Sequence, residues 1–424
     1  MISFKKQLIT GSLILGALAV PALGLADDTA AAATPVATPT PLSWYQKITV
    51  GGYLDEYYQM NFNNPESTGY TAAPDGARVF DNTSNEFTFG GGELTLKQSD
   101  SASGTGYFVD LLMGPAAGIY NVDGATKDSV ELGQAYVTQS FGNATFTLGK
   151  FGTPIGYEVT YLPSNANFSR SLLYFNEPLY HVGLELAYTL PMSWTATGWI
   201  DDGNSTDGAA SSGRDYGLQL AYSGIKNLNL TGTWYLQNYL TTGGIPFVLA
   251  PTTDVDSSVN WANLVATYTA NSEWNFAGEY LFKSFDVLGD PLYDNFIDGN
   301  TGFPNYNTEN MGYALYATYA PSSVANLSIS PRFEQWFNPT AGIPLNPFTG
   351  SNIGGYVGAN STAVFNDYTL TVKYQMGPLA HMLEYRADAS NANIFPTNNT
   401  NGNYAEPFNS KIQQSLTYAA VYSF

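Results

Sequence analysis

The feature that most constrains this chain is an alternation of apolar and polar side chains, which recurs in segments of about ten residues. In the last segment, 412–424, one face carries leucine, tyrosine and phenylalanine, and the other carries glutamine, serine and threonine. The segments 181–190, 325–337 and 366–376 alternate in the same way. Successive side chains of a β-strand point to opposite sides of a sheet, so the pattern predicts strands with one apolar and one polar face.

Composition excludes several other classes of protein. Aromatic residues make up 15% of the chain, which is enough apolar area for a folded structure rather than a disordered one. The mature region has no apolar run of the length that a membrane-spanning helix requires. Asp and Glu number 35 against 15 Lys and Arg, so we expect no nucleic-acid partner, and without cysteine there is no disulfide or thiolate site.

The N-terminus predicts export across an inner membrane. Lys5 and Lys6 precede the apolar stretch Leu8–Val20, and small residues follow, so 1–26 is predicted to be a signal peptide rather than a buried helix. Residues 27–46 are rich in alanine, threonine and proline, which predicts an extended periplasmic linker. Contact of this linker with the cell-wall layer is the alternative.

Tyrosines recur at the same end of several predicted strands. Five segments have the form Leu-x-apolar-x-Tyr, and a short turn follows each of them within a few residues. Tyrosine has an apolar ring and a polar tip, so a ring of tyrosines favours one interface of a membrane over the aromatic core of a soluble protein. The predicted interface girdle comprises Tyr188, Tyr222, Tyr268, Tyr319, Tyr374, Tyr422 and Phe424.

These patterns predict an all-β fold for 47–424: a transmembrane, antiparallel, up-and-down β-barrel of about sixteen strands. Short periplasmic turns alternate with long extracellular loops, which places both termini in the periplasm. Phe87 and Phe89 are out of phase with Leu94 and Leu96, which predicts a bulge at 90–92. The predicted strands are 47–62, 85–97, 106–113, 130–141, 144–150, 181–190, 194–200, 215–223, 228–238, 259–269, 274–284, 310–319, 325–337, 366–376, 379–388 and 411–424.

Several motifs resemble one family. The sequence GKFGTPIGYE at 149–158 is followed by NFSRS at 167–171 and PLYHVG at 178–183, and GYLD at 52–55 and QAYV at 134–137 precede it. Over roughly residues 50–183 the chain resembles the OmpL-like outer-membrane β-barrel porin family. That resemblance implies passive passage of small hydrophilic solutes. It implies no particular substrate and no catalytic residue.

A sixteen-strand barrel is too wide for its own side chains to fill, so its lumen is either an aqueous channel or blocked by an inserted segment. We expect the third long loop, 151–180, to fold inward and narrow the pore, by analogy with general porins. A mobile external loop is the alternative. The candidate constriction residues in or beside this loop are Lys150, Glu158, Arg170, Glu177 and His181.

Charged side chains also occupy the lumen-facing positions of the later strands. They predict either a transverse field that orients solutes or a lattice of ion pairs that stiffens the wall. The overall acidity favours a weak preference for cations. The predicted pore-lining residues on these strands are Lys283, Arg332, Glu334, Lys373, Glu384 and Arg386.

Catalysis and metal binding have little support. His181 and His381 are the two histidines, and no hydrolase, metalloprotease or phosphate-binding motif occurs, so we expect no enzyme and no cofactor. A hydrolase built on His181 with a nearby serine and carboxylate is the alternative. We expect no metal site, although a solvated loop or a divalent cation site would both suit Asp201, Asp202, Asn204 and Asp207.

The sequence therefore predicts an outer-membrane porin for small hydrophilic solutes. A structural or adhesive barrel is one alternative, and a sugar-selective channel, favoured by the inward-facing Tyr235, Tyr316 and Trp336, is another. The expected partners are outer-membrane lipid and the barrel-assembly machinery, which would recognise the C-terminal strand ending at Phe424. A homotrimer is a common assembly of sixteen-strand porins, and the sequence identifies no interface for one.

Overall fold

The computed structural model describes residues 47–64, 78, 80–81, 83–100, 103–114, 117, 130–204, 214–241, 255–287, 306–338, 363–391, 393, 395–397 and 408–424. The predicted signal peptide, the linker and much of the long loops lie outside these residues. Within the described ranges, no helix is long and apolar enough to cross a membrane.

Sixteen of the described strands form one closed antiparallel barrel, which confirms the predicted architecture. The strands follow one another around the barrel in chain order, and a separate two-stranded sheet, β16 with β17, precedes the last barrel strand. The strands are β1 (Thr49–Asn61), β2 (Glu86–Asp100), β3 (Thr105–Met113), β4 (Val130–Phe141), β5 (Ala144–Gly152), β6 (Tyr180–Leu190), β7 (Trp194–Asn204), β8 (Asp215–Tyr222), β9 (Leu228–Thr241), β10 (Val255–Thr269), β11 (Trp274–Val287), β12 (Tyr306–Tyr319), β13 (Leu327–Asn338), β14 (Ala363–Met376), β15 (Leu379–Ser390), β16 (Phe395–Pro396), β17 (Phe408–Ser410) and β18 (Ile412–Ser423).

The barrel closes where the first strand pairs with the last. The register between β1 and β18 runs from Tyr53 opposite Ser423 to Asn61 opposite Ser415. At the end of this seam, Gly52 and Phe424 exchange backbone hydrogen bonds, each 3.1 Å long. Closure leaves no strand edge unpaired, as a sheet surrounded by lipid requires.

The two faces of the strands differ as the alternation predicts. On β18, Gln413, Ser415 and Thr417 are buried inside the barrel, whereas Ile412 and Tyr418 are about half exposed on its outer surface. The outer surface is therefore apolar and the inner surface is polar, an arrangement that suits a barrel in a bilayer.

The predicted bulge in β2 is confirmed. Asp55 pairs with Gly91 and Glu56 pairs with Phe89, so Gly90 has no partner across the strand pair. A side chain at position 90 would collide with Asp55, because a Cβ there would lie 1.9 Å from the Asp55 Oδ2. The extra residue shifts the alternation by one position and brings both halves of β2 into phase with the lipid face.

Several strands extend farther toward the long loops than the sequence pattern predicted. β7 ends at Asn204 rather than at 200, and β10 begins at Val255 rather than at 259. Beyond the hydrocarbon an outward side chain does not have to be apolar, so backbone pairing continues after the alternation has ended. Asp201 and Asp202 consequently lie on β7, not in the loop to which the sequence assigned them.

Substitution of Gly91 by alanine should destabilise the barrel. Gly91 has a φ of +142°, a conformation that side chains with a Cβ adopt only with strain, at a cost of about 1–3 kcal/mol. The measurement is the urea concentration at which the folded barrel is lost. On a gel, the folded barrel migrates differently in unboiled and boiled samples, and we call this band heat-modifiable. Gly198→Ala is the control, because the nearest atom to a Cβ there is 3.8 Å away. Equal midpoints for the two variants would contradict the strain.

Candidate functional site

The segment 151–180, which we name the inner loop, lies inside the barrel. It leaves β5, makes two short 3₁₀ turns at Leu162–Ser164 and Tyr174–Asn176, and returns to the wall at β6. Every residue from 167 to 181 is buried. A loop on the outer surface would keep contact with water along much of its length, so this burial marks a segment enclosed by the wall.

Polar side chains of β8, β10 and β11 hold the first part of the inner loop. Gln219 donates a hydrogen bond of 2.7 Å from its Nε2 to the carbonyl of Pro154. The Asn263 Oδ1 accepts from the backbone N–H of Gly156 at 3.2 Å. These bonds pair backbone groups that would otherwise be buried without a partner.

Carboxylates on the opposite wall hold the middle of the loop. Glu384 on β15 accepts hydrogen bonds from the backbone N–H groups of Phe168, at 2.7 Å, and Ser169, at 3.0 Å. Glu334 on β13 accepts from the N–H of Leu172 at 2.6 Å. These carboxyl oxygens supply acceptors to backbone N–H groups that would otherwise be buried without a partner.

Two arginines of the same wall bind the carbonyls of the loop. The Arg332 Nη1 donates to the carbonyl of Ser169 at 2.7 Å and to Glu158 Oε1 at 3.0 Å. The Arg386 Nη1 donates to the carbonyl of Arg170 at 2.8 Å. Donors and acceptors of the wall thus alternate to match the alternating N–H and C=O groups of the loop.

Buried ion pairs connect these arginines to one another through shared carboxylates. Arg332 pairs with Glu334 at 3.0 Å, and both Arg332 and Arg386 pair with Asp367. A third arginine, Arg78, extends the network through Asp388 at 2.8 Å. A buried charge costs several kcal/mol unless it is paired and hydrogen-bonded, so the members of this lattice depend on one another.

Arg170 binds its own loop rather than the wall. Its guanidinium donates to the carbonyls of Val159, Thr160 and Phe168 at 2.7–3.1 Å, and it lies 5.0 Å from the centre of the Phe80 ring. A planar donor group that bridges three carbonyls fixes the fold of the loop tip. The sequence predicted a pore-lining charge here, and the structure gives Arg170 this internal contact.

The loop also reaches the first strand of the barrel. The ring centres of Tyr53 and Tyr161 are 5.3 Å apart, and those of Tyr57 and Phe168 are 5.4 Å apart. Edge and tilted contacts of this kind add to the apolar area that the rings bury. The loop therefore crosses the interior from β5 and β6 to β1 and β13–β15.

Two carboxyl groups meet where the loop passes β11. Glu177 faces Glu279 on β11, and its carboxyl occupies the space that a Cβ of Gly156 would fill, 1.9 Å from that position. Burial, followed by repulsion from Glu279 and Glu158, raises the pKa of Glu177 well above that of an ordinary glutamate. A carboxyl in these surroundings retains its proton at a pH at which exposed glutamates are ionised.

His181 lies between a carboxylate and a hydroxyl. Its Nδ1 is 3.0 Å from Asp201 Oδ2, and its Nε2 is 3.1 Å from the Thr153 Oγ1. The hydroxyl of Thr153 also accepts from the N–H of Ile155, and Asp201 accepts from Tyr235. The hydrolase alternative anticipated a serine in this place, and the hydroxyl here belongs to a turn that fixes the start of the inner loop to β7.

The remaining predicted basic residues have separate environments. The Lys150 Nζ lies 3.9 Å above the Tyr180 ring, and the Lys283 Nζ lies 3.9 Å above the Trp261 ring. Lys373 occupies an inward position of β14 near the short-turn end. Contacts with aromatic faces partly compensate a cation for the water that it loses.

Sequence reasoning missed several members of this site. Arg78 was assigned to a long loop, and the amides Gln219 and Asn263 were not distinguished from other inward polar residues. No local signal separates a residue that anchors a distant loop from one that faces water. Gly156 carried a usable signal, since it belongs to the motif at 149–158 and its φ of +93° favours glycine.

The structure describes only part of the alternative cation site at 201–207. Asp207 lies outside the described residues, Asp201 is buried beside His181, and Asp202 pairs with Arg214 at 3.0 Å. Within the described ranges, no group of three histidine, aspartate or glutamate residues is arranged to hold a metal ion.

Comparisons with known proteins agree with this architecture. A family described as "Putative beta-barrel porin-2, OmpL-like" matches residues 47–424, which is the whole barrel. A search of curated protein sequences gives no match.

Solved structures of other outer-membrane barrels superpose on the chain and cover 89% of it. The outer-membrane channel DcaP of Acinetobacter baumannii is 12% identical, with a TM-score of 0.58 and 97% of its chain covered. The anion-selective porin of Comamonas acidovorans is 12% identical, with a TM-score of 0.54 and 99% covered. The trimer form of OmpT, an outer membrane protein of Vibrio cholerae, is 10% identical, with a TM-score of 0.51 and 99% covered. At such identities the likeness concerns the fold alone.

The Glu177 pair predicts a pH-dependent stability. A carboxyl whose pKa is raised in the folded state stabilises the fold fully at low pH, and this contribution is lost as pH rises through the folded pKa. We expect the thermal midpoint of the protein to fall as pH increases from about 5 to 9, and Glu177→Gln to flatten that dependence.

Glu273→Gln is the matched control for this measurement. Glu273 lies in an exposed turn, where hydrogen bonds from Ser322 lower its pKa, so it titrates below the tested range. An unchanged slope in Glu177→Gln would contradict the assignment of the titration to Glu177.

Proposed function

The chain belongs to the OmpL-like family of beta-barrel porins, and we propose that it forms a water-filled channel for passive diffusion of small hydrophilic solutes and ions. The protein is a barrel of the bacterial outer membrane. The observation that carries the proposal is the charged inner surface of a closed sixteen-strand barrel whose outer surface is apolar. In this proposal His181, Asp201 and Thr153 have structural roles, and we propose no catalytic step for them.

The inner loop is proposed to act as the constriction. It bonds to strands on several sides of the lumen, including Gln219 of β8 and Glu384 of β15, so a solute that crosses the barrel has to pass beside it. The proposed constriction includes the predicted residues Glu158, Arg170 and Glu177, with Arg332, Glu334 and Arg386 in the facing wall. The ion-pair lattice of that wall holds the loop and leaves its charges largely neutralised by one another.

A weak preference for cations follows from the balance of buried charge. With Glu177 left out because burial favours its neutral form, thirteen buried side chains among the described residues are Asp or Glu, and six are Lys or Arg. An interior with an excess of acids attracts cations and repels anions. Anion selectivity is a property of the Comamonas porin and is not transferred to this chain.

The outward aromatic residues at the short-turn end are proposed to form the periplasmic interface with lipid. Two of the predicted tyrosines have tryptophan neighbours that the sequence analysis did not include: Trp194 is 4.6 Å from Tyr222 and Trp274 is 4.6 Å from Tyr319, between ring centres. Tryptophan and tyrosine both favour the headgroup region. The other predicted members of the girdle are on the outer surface and about half exposed: Tyr188, Tyr268, Tyr374, Tyr422 and Phe424.

Two further partners are proposed. The last strand ends at Phe424, whose aromatic ring is exposed, and we expect the barrel-assembly machinery to recognise this terminus. A homotrimer is compatible with the trimer form of the Vibrio cholerae protein.

Planar-bilayer recording of the purified protein tests the channel. We expect stable steps of ion current, and in a salt gradient a reversal potential that favours cations. Silence from a protein that retains its heat-modifiable fold would overturn the channel and favour the adhesive alternative. A reversal potential that favours anions would overturn the cation preference alone.

Glu384→Ala tests the constriction. The substitution leaves the N–H groups of Phe168 and Ser169 without their acceptor, which should cost about 2–4 kcal/mol of stability in this part of the loop. We expect a larger mean single-channel conductance than in the unaltered protein, and more frequent transitions between current levels.

Two other variants complete the constriction test. Asn167→Ala removes only the bonds to Ser330 and Thr371 and serves if the first variant does not fold. Glu273→Ala, in an exposed turn, is the control and should leave conductance unchanged. Unchanged conductance in folded Glu384→Ala and Asn167→Ala would show that the inner loop does not limit the current.

A further inference from the structure

A carboxyl group lies on the lipid-facing surface of the barrel. Glu56 is exposed on the outer side of β1, and no hydrogen bond or ion pair joins its carboxyl to another described residue. Leu54 and Tyr58 are its outward neighbours along the strand, and Ala420 and Phe89 are opposite it on the two adjacent strands. An ionisable group in such apolar surroundings is costly unless a partner binds it, so a residue of this kind indicates a functional contact.

The register of the seam places Glu56 inside the apolar band. From the short-turn end, the outward pairs of β1 and β18 are Leu54 with Tyr422, Glu56 with Ala420, Tyr58 with Tyr418, and Met60 with Leu416. Successive outward pairs are about 6–7 Å apart along a strand. Glu56 therefore lies one pair beyond the proposed tyrosine girdle, with two further apolar pairs between it and the long-loop end.

His381 lies on the same outward row, two strands from Glu56. Ala420 pairs with Glu56 on one side and with His381 on the other. The Nδ1 of His381 is 2.8 Å from the Tyr418 hydroxyl oxygen. When this hydroxyl donates to Nδ1, the neutral imidazole has its proton on Nε2, and no described residue binds Nε2. His381 thus offers a hydrogen-bond donor on the outer surface.

The acceptor and the donor do not bind each other within one chain. Their Cα atoms are two strand spacings apart, which is about 9–10 Å, and the small side chain of Ala420 lies between them. The surface formed by Glu56, Ala420 and His381, which we name the seam face, therefore has an acceptor at one edge and a donor at the other.

We propose that the seam face is a contact between copies of this chain, in which Glu56 of one copy accepts a hydrogen bond from His381 of the next. Because the two groups are at opposite edges, every copy in a closed assembly of two or three can make both contacts. A small residue between them lets the two walls approach closely, as at contacts between other membrane-spanning segments. Lipid acyl chains would leave both polar groups without a partner.

The inference names the surface of the homotrimer proposed above, and it does not depend on conduction. Disulfide trapping in isolated outer membranes is the test. The chain has no cysteine, so the double variant Glu56→Cys, His381→Cys has the only two thiols. A disulfide needs Cα atoms closer than about 7 Å, so the two thiols of one chain are too far apart to join. Oxidation should link separate chains, and the size of the largest covalent species on a boiled, non-reducing gel gives the number of copies.

Two kinds of control accompany the trapping. Each single cysteine variant has only one edge of the contact. The double variant Glu56→Cys, Leu315→Cys has its second thiol on the outer surface of β12, where Leu315 is 53% exposed. We expect at least tenfold less linkage in these variants than in Glu56→Cys, His381→Cys.

Leucine substitutions give a second, independent measurement. Leucine suits a lipid-facing position, so Glu56→Leu and His381→Leu should keep the barrel folded. Each should raise the protein concentration at which half of the assemblies dissociate in detergent by about tenfold, the effect of one charge-assisted hydrogen bond. The double variant should be no weaker than either single variant, because both remove the same contact. Glu309→Gln, at an exposed position of β12 near the long-loop end, is the control and should change nothing.

The outcomes separate this inference from the channel. Equal linkage in the trapping variant and its controls, or dissociation that is unchanged in both leucine variants, overturns the seam face as the contact. A monomer in the membrane, or linkage to a protein of another mass, overturns the second copy as the partner. Loss of phosphatidylethanolamine binding in Glu56→Leu, with the protein a monomer, overturns it in favour of a lipid amine. Ion steps in a planar bilayer decide the channel in each of these cases.

Discussion

The constraint on which this structure depends is that no backbone N–H or C=O can remain unpaired against hydrocarbon. An open sheet of this size would expose two edges, so β1 has to pair with β18, and the mutual bonds of Gly52 and Phe424 end that seam. Once the sheet is closed, alternation assigns every second side chain to lipid and every other one to the interior. Closure thus decides which surface can carry charge.

The interior presents the opposite problem, because a wall of this circumference brings many charged groups into a space with limited water. The inner loop supplies hydrogen-bond partners to many of these groups. Its backbone N–H groups pair with Glu334 and Glu384, and its carbonyls pair with Arg332 and Arg386. The loop is buried because the wall supplies its partners, and the wall charges are tolerated because the loop supplies theirs. The stability of the loop and that of the charged wall therefore depend on the same contacts.

The elements that the sequence predicted well are those with a local physical cause. All sixteen strands follow from period two, and the bulge in β2 follows from the phase change across the three glycines at 90–92. The partly wrong boundaries are at the long-loop ends, where β7 and β10 continue beyond the apolar pattern. The charges of the site were placed on the correct face by parity, but Arg78, Gln219 and Asn263 were missed. Their bonds to Asp388, Pro154 and Gly156 span 65 to 310 residues of sequence.

By itself the sequence determined the barrel. Each strand has to place apolar side chains toward lipid and polar ones toward the lumen, so the alternation is visible within every strand on its own. Only the tertiary structure decided what the interior charges do. Arg170 bridges carbonyls of its own loop, Glu177 shares its surroundings with Glu279, and Trp199 lies on Gly217. The distances and burial of these contacts, which set their energies, exist only after the sheet has closed around the loop.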